Sequence, residues 1–187
     1  MNIFYLDRDP RICAEMHLDK HVVKMIIEYA QLMSTAHRVL DGEEYIDLTS
    51  NGRKIKRWRM IDPEMESGLM KASHINHPSN VWLRQSKENY KWLCEMWVWL
   101  LKEYTYRYGK HHACESRLEF LVEAPKNIPK VAFTPPTPAM PDECKIIGNS
   151  LASYHKYYIE RKVGFAKWTK RPVPTWFANA VSNNAYV

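Results

Sequence analysis

The chain has 187 residues, 45% hydrophobic and 26% charged, which suits one globular domain with a substantial core. No apolar run approaches the ~18 residues of a membrane span, so a transmembrane helix is excluded and no membrane partner is expected. A net charge of +6 and a pI near 9.1 favour an anionic partner, such as DNA or a nucleotide, although a basic protein without a polyanion partner carries the same signature.

The opening MNIFYLD has four apolar residues in its first five and reads as a buried extended segment or an edge strand. From Asp9 to Gly42 the periodicity predicts one long helix, with a break admitted near Leu18. Asp9 suits the N-cap, Pro10 the first helical position, and Gly42 a left-handed C-terminal residue. Val22, Val23, Ile26, Ile27, Ala30, Met33 and Leu40 form a wide apolar face. The opposite stripe holds His17, His21, Lys24, Glu28, Gln31 and Thr35 at helical spacing. Such a stripe either lines a pocket or faces water. Two histidines with a lysine beside them favour a site.

Residues 43–73 are the least regular, with Asn51-Gly52 as a turn. Within them, Arg53, Lys54, Lys56, Arg57 and Arg59 surround Trp58, a pattern that fits a phosphate backbone with a base or sugar on the ring. A solvated loop fits it equally well. His74, Asn76 and His77 then precede a second long helix, Asn80 to Tyr108, with Ser79 as its N-cap. Trp82, Leu93, Met96, Trp97, Leu100, Leu101 and Tyr104 make its heavy apolar face, while Gln85 and Asn89 share a polar one. Gly109 ends or kinks it, and Lys110, His111 and His112 lead into a shorter helix stopped by Pro125. Residues 125–141 hold six of the 11 prolines and read as an ordered extended crossing. Asp142 caps a last helix, Glu143 to Lys162, and the tail gathers Lys167, Trp168, Lys170, Arg171 and Trp176.

The fold class expected is mostly α: a single helical domain over 1–187, a bundle of four to five helices with a short N-terminal extended segment. There is no glycine-rich phosphate loop, no β-α-β alternation and no Gly-x-Ser-x-Gly. Cys13, Cys94, Cys114 and Cys144 lack metal-knuckle or redox spacing. Without a signal peptide they read as reduced thiols, which places the expectation in the cytoplasm. Cys13, one turn before His17, can face the same way.

Three readings of the polar residues follow. In the first, His17, His21, Lys24 and Glu28 form a catalytic face. Arg38, His74, Asn76, His77, Gln85, Arg57, Arg59, Trp58 and Lys110 then bind substrate or phosphate, and the pocket lies between the first helix and the His74–His77 segment. In the second, the HxxxH spacing of His17 and His21 holds a divalent metal with a third ligand from His74, His77, His111 or His112, although Lys20 and Lys24 oppose a dication. In the third, both histidines are satisfied core residues of a binding module. The leading reading has no cofactor; metal belongs to the second.

MNIFYLDRDP, HLDKHVVKM, STAHR, INHPSNVWLRQSKENYKWL, YRYGKHH, FTPPTPAMP and FAKW together resemble a family of small uncharacterised tailed-phage proteins, over nearly the whole chain. The resemblance implies nucleic-acid metabolism, base modification or defence evasion, and carries over no catalytic residue. A looser analogy runs to phage DNA-base-modifying enzymes and helical glycosylases. The expectation is an enzyme acting on DNA or nucleotides, modifying a pyrimidine base or its phosphorylated derivative. The alternatives are a metal-dependent hydrolase of a phosphate-bearing small molecule, and a non-catalytic binder of a nucleotide or host protein. Oligomeric state stays open.

Overall fold

The computed structural model describes residues 1–184. The chain is mostly α, with eight α-helices among the described residues rather than four to five, and one two-stranded sheet. No described helix is long and apolar enough to cross a membrane. One core cluster runs from Ile3 to Phe177.

The excess helices come from breaks in the two long segments. The first divides into α1, Pro10–Met16, and α2, Asp19–Asp41, with His17 and Leu18 extended between them. Asp9 caps α1 as its side chain predicts, accepting from the Arg11 and Ile12 amides at 2.8 and 3.1 Å. The break is stabilised from outside. Arg107, fully buried, donates to the carbonyls of Glu15 and His17 and to Asp19 Oδ1, each at 2.9 Å. Trp168 Nε1 donates to the Met16 carbonyl at 2.8 Å. The orphan carbonyls at the end of α1 are thus satisfied by side chains distant in sequence.

The second long segment divides into α4, Pro78–Arg84, and α5, Lys87–Tyr108. The proline-rich crossing docks on the gap. Ser86 Oγ donates to the Val131 carbonyl at 2.6 Å, and the Lys87 amide donates to that of Pro129 at 2.8 Å. His77, not Ser79, caps α4, its Nδ1 accepting from the Ser79 amide. Gly109 ends α5 in the left-handed region, φ 68°.

Residues 43–59 form a hairpin that the sequence reading missed. β1, Glu43–Leu48, pairs antiparallel with β2, Lys54–Arg59, around the expected Asn51-Gly52 turn, where Gly52 takes φ +76°. Gly42 is extended, not left-handed; a Cβ there would lie 2.5 Å from the Arg38 carbonyl oxygen. A short α3, Pro63–Gly68, follows the hairpin. After α5 come a 3-10 turn at Ala113–Arg117 and a single α turn, α6, Leu118–Leu121. The last expected helix begins later, as α7, Ser150–Arg161, capped by Asn149 after Gly148 turns the chain at φ +73°. α8, Thr175–Asn184, follows Pro174.

The N-terminal segment, Ile3 to Leu6, is buried and extended but has no strand partner among the described residues. Side chains replace one. Tyr29 Oη accepts from the Phe4 amide at 3.2 Å, Cys13 Sγ accepts from the Leu6 amide at 3.3 Å, and His155 Nε2 donates to the Leu6 carbonyl at 2.8 Å.

Candidate functional site

The expected polar stripe is divided by the helix break: His21, Lys24 and Glu28 lie on α2, while His17 falls in the extended break before it and is fully buried. Its Nδ1 donates to the Cys13 carbonyl at 2.8 Å, and its Nε2 accepts from Tyr29 Oη at 2.9 Å. The Phe4 amide donates to that same oxygen, so the chain of bonds has one direction and assigns the tautomer. No lone pair of His17 remains for an ion. Burial holds its pKa down to about 4. The HxxxH metal reading therefore fails at its first ligand, and no group of three or more His, Cys, Asp or Glu among the described residues is placed to hold a metal.

His21, one turn into α2, opens on a cavity of about 150 Å³ between α2, the N-terminal segment and the end of α7. Its ring stacks on Phe4 with centroids 4.1 Å apart, and its Nδ1 lies 2.6 Å from Tyr158 Oη. Burial first, then its neighbour His17 and the positive charges of Lys162 and Lys24, push the His21 pKa down to about 2. At neutral pH it is an uncharged N–H donor in an electropositive place.

Lys24, Glu28, Tyr157 and Lys162 complete the walls. Lys24 Nζ lies 3.2 Å from Glu28 Oε1. Lys162 Nζ donates to Tyr157 Oη at 3.2 Å and sits over the same ring, 4.4 Å from its centroid. Asn2 also lines the cavity, and its side-chain oxygen is buried without a hydrogen-bond partner. That is an acceptor lacking a donor at the pocket wall.

The remaining candidates lie elsewhere. Gln31 and Thr35 bind the 71–73 backbone, with Gln31 Nε2 to the Lys71 carbonyl at 2.6 Å, so the chain leading into the His74–His77 segment is held against α2, and neither the His21 cavity nor the larger one is lined by His74, Asn76 or His77. His74 and Asn76 are exposed. His77 is occupied in capping α4; burial lowers its pKa while Glu28 raises it. Arg38 is 2% exposed and spends all five donors on Met70, Trp58, Glu66 and Leu69, with none left for phosphate. Arg57 and Arg59 pair across the hairpin with Asp47 and Glu43, as Lys56 does with Glu44, and Trp58 stands half-buried among them. Gln85 ends α4 exposed, and Lys110 is exposed beyond Gly109. Cys13 is buried with its thiol donating to the Phe4 carbonyl and its pKa pushed up to about 12, so it is inert packing.

A larger cavity, about 420 Å³, lies between His37, α3 and α6. Asp41, Asp62, Glu119 and Glu123 line it against Lys126 alone, a balance that repels phosphate. The smaller cavity has the opposite sign. Phe4, Tyr157 and Lys162 were missing from the sequence-based site because α7 and the N-terminus are far from α2 in sequence. The only signal was the alternation of aromatic and basic residues in YHKYYIERK.

Comparison with known protein families, curated proteins and solved structures returns no match.

Proposed function

We propose that the cavity at His21 accepts a pyrimidine base of DNA or of a nucleotide, and that the protein modifies it. The observation that carries the reading is the convergence of Lys24, Glu28 and Lys162 on a small cavity walled by Phe4, His21 and Tyr157. Drug-sized ligands need roughly 300–1,000 Å³. A cavity of about 150 Å³ suits one ring or one phosphate group, not a whole nucleotide. Enzymes that work on a base draw it from the stack into such a pocket and read it by stacking and hydrogen bonds to its edge. Here the His21 ring, held by Phe4 and Tyr158, offers its free edge for a hydrogen bond to the base. Lys24 and Lys162 attract the attached phosphate. Glu28, held by Lys24, serves as the general base.

The test is mass spectrometry of nucleosides from DNA, and separately from thymidylate and cytidylate, incubated with the protein. The expected result is a new pyrimidine nucleoside whose yield Glu28→Gln lowers by about 10²- to 10⁴-fold. No altered nucleoside from any of these substrates would overturn the enzymatic reading. A nucleotide bound but unaltered would favour a binding module instead.

A further inference from the structure

A second surface carries a separate pattern, on the face of α5 away from the pocket's walls. Trp99 and Tyr106 lie seven residues apart on one side of α5, about 10 Å along its axis. Each ring has two cations against it. Arg11 and Lys102 lie 4.9 and 4.2 Å from the Trp99 centroid. Arg171 and Lys170 lie 4.7 and 5.7 Å from that of Tyr106. Close cation–ring pairs occur roughly once per 70–80 residues, so four on two rings of one helix face is a concentration. The rings border a cavity of about 150 Å³ that also touches Glu15 and Glu103. Those two carboxylates are engaged: Glu15 pairs with Arg11 and Arg171, and Glu103 with Arg107 and Arg171. Lys102 is exposed and has no carboxylate partner among the described residues.

The chain itself joins this face to the His21 pocket. From Lys162 at the pocket it passes Asp19, where Thr169 donates to the carboxylate. It reaches Tyr106, whose carbonyl accepts from Lys170 Nζ at 2.9 Å. Lys167, exposed, lies along the way.

We infer that this face binds a single-stranded polynucleotide, with bases stacking on Trp99 and Tyr106 and phosphates held by Lys102 and Lys170. A single strand offers what the face can take: sequence-independent π faces and a regular negative charge. A duplex hides its base faces and would use only the cations. The inference shares with the proposed function the premise of a polynucleotide partner and needs nothing of the pocket's chemistry.

Fluorescence anisotropy of a short labelled oligothymidylate, titrated with the full chain at low and moderate salt, tests it. The expected result is binding that weakens with salt, reduced about tenfold by Trp99→Ala and again by Tyr106→Ala. Lys102→Ala should also lower the salt slope by about one. Tyr106 is half-exposed and Lys102 exposed, so these two variants keep the test valid if Trp99→Ala does not fold. Absence of binding at low salt, aromatic variants that bind like wild type, or a duplex that competes as well as the single strand would each overturn the inference. Loss of strand affinity in these variants without any base modification would sink the pocket reading alone. Base modification with strand affinity untouched by them would sink this one alone.

Discussion

His17 and His21 stand four residues apart, yet the helix break turns them to different tasks. His17 joins a buried chain from the Phe4 amide through Tyr29 to the Cys13 carbonyl, and only His21 reaches the cavity. Three histidines are held neutral by burial: His17 and His37 with pKa values lowered to about 4, and His21 to about 2. Below about pH 6.5 the unfolded chain takes up a proton at each site that the folded chain refuses. Their stability contribution is therefore full above that pH and is lost as pH falls towards the folded values. For His17 and His37 the loss amounts to about 3 kcal/mol each by pH 4. Against a typical 5–15 kcal/mol, that is a large share of a domain's stability. Urea midpoints should drop steadily between about pH 7 and 5, and a flat profile there would contradict these burial assignments. At this scale the 3.6-residue spacing put His21, Lys24 and Glu28 on one face of α2, as expected, but not His17, which falls in the break before it. It could not display depth, because Tyr29, Tyr158 and Phe4 that bury the histidines come from other turns and segments.

Among the elements, the two long periodic segments were legible, and the break admitted near Leu18 is there; the break at Gln85-Ser86 was not foreseen. The break at Leu18 is satisfied by Arg107 and Trp168, and that at Ser86 by the proline-rich crossing. Arg107 is the test. Its buried side chain also meets Glu103 at 2.7 Å, so Arg107→Ala bares the Glu15 and His17 carbonyls and leaves the buried Glu103 carboxylate to Arg171 alone. We expect a loss of about 3–5 kcal/mol in chemical denaturation; a loss below about 1 kcal/mol would show that the junction does not depend on it. The hairpin makes the opposite case. Its basic run was plain in the sequence, but antiparallel pairing set each of Lys56, Arg57 and Arg59 beside a carboxylate of β1. Such exposed pairs contribute little, so replacing Arg57 and Arg59 together by Ala should change stability by less than about 0.5 kcal/mol. DNA affinity should barely move. A marked loss of affinity would return the hairpin to the binding surface.

Across the whole molecule, the net charge of +6 is unevenly useful. The hairpin pairs Lys56, Arg57 and Arg59 with its own carboxylates, and the larger cavity is acidic. Lys24 and Lys162 border the His21 cavity and Lys102 the Trp99–Tyr106 face, while others such as Arg53, Lys54 and Lys110 stand exposed elsewhere. Composition gave the sign of the charge but not its placement, which depends on how residues 162–171 pass over Asp19. Binding at the His21 cavity is read by the imidazole NMR signals of the folded protein during titration with thymidine monophosphate. The His21 ring resonances should shift saturably while those of His37, buried beside the acidic cavity, stay fixed. A His21 signal that does not move, or one that moves only in step with His37, would contradict binding there.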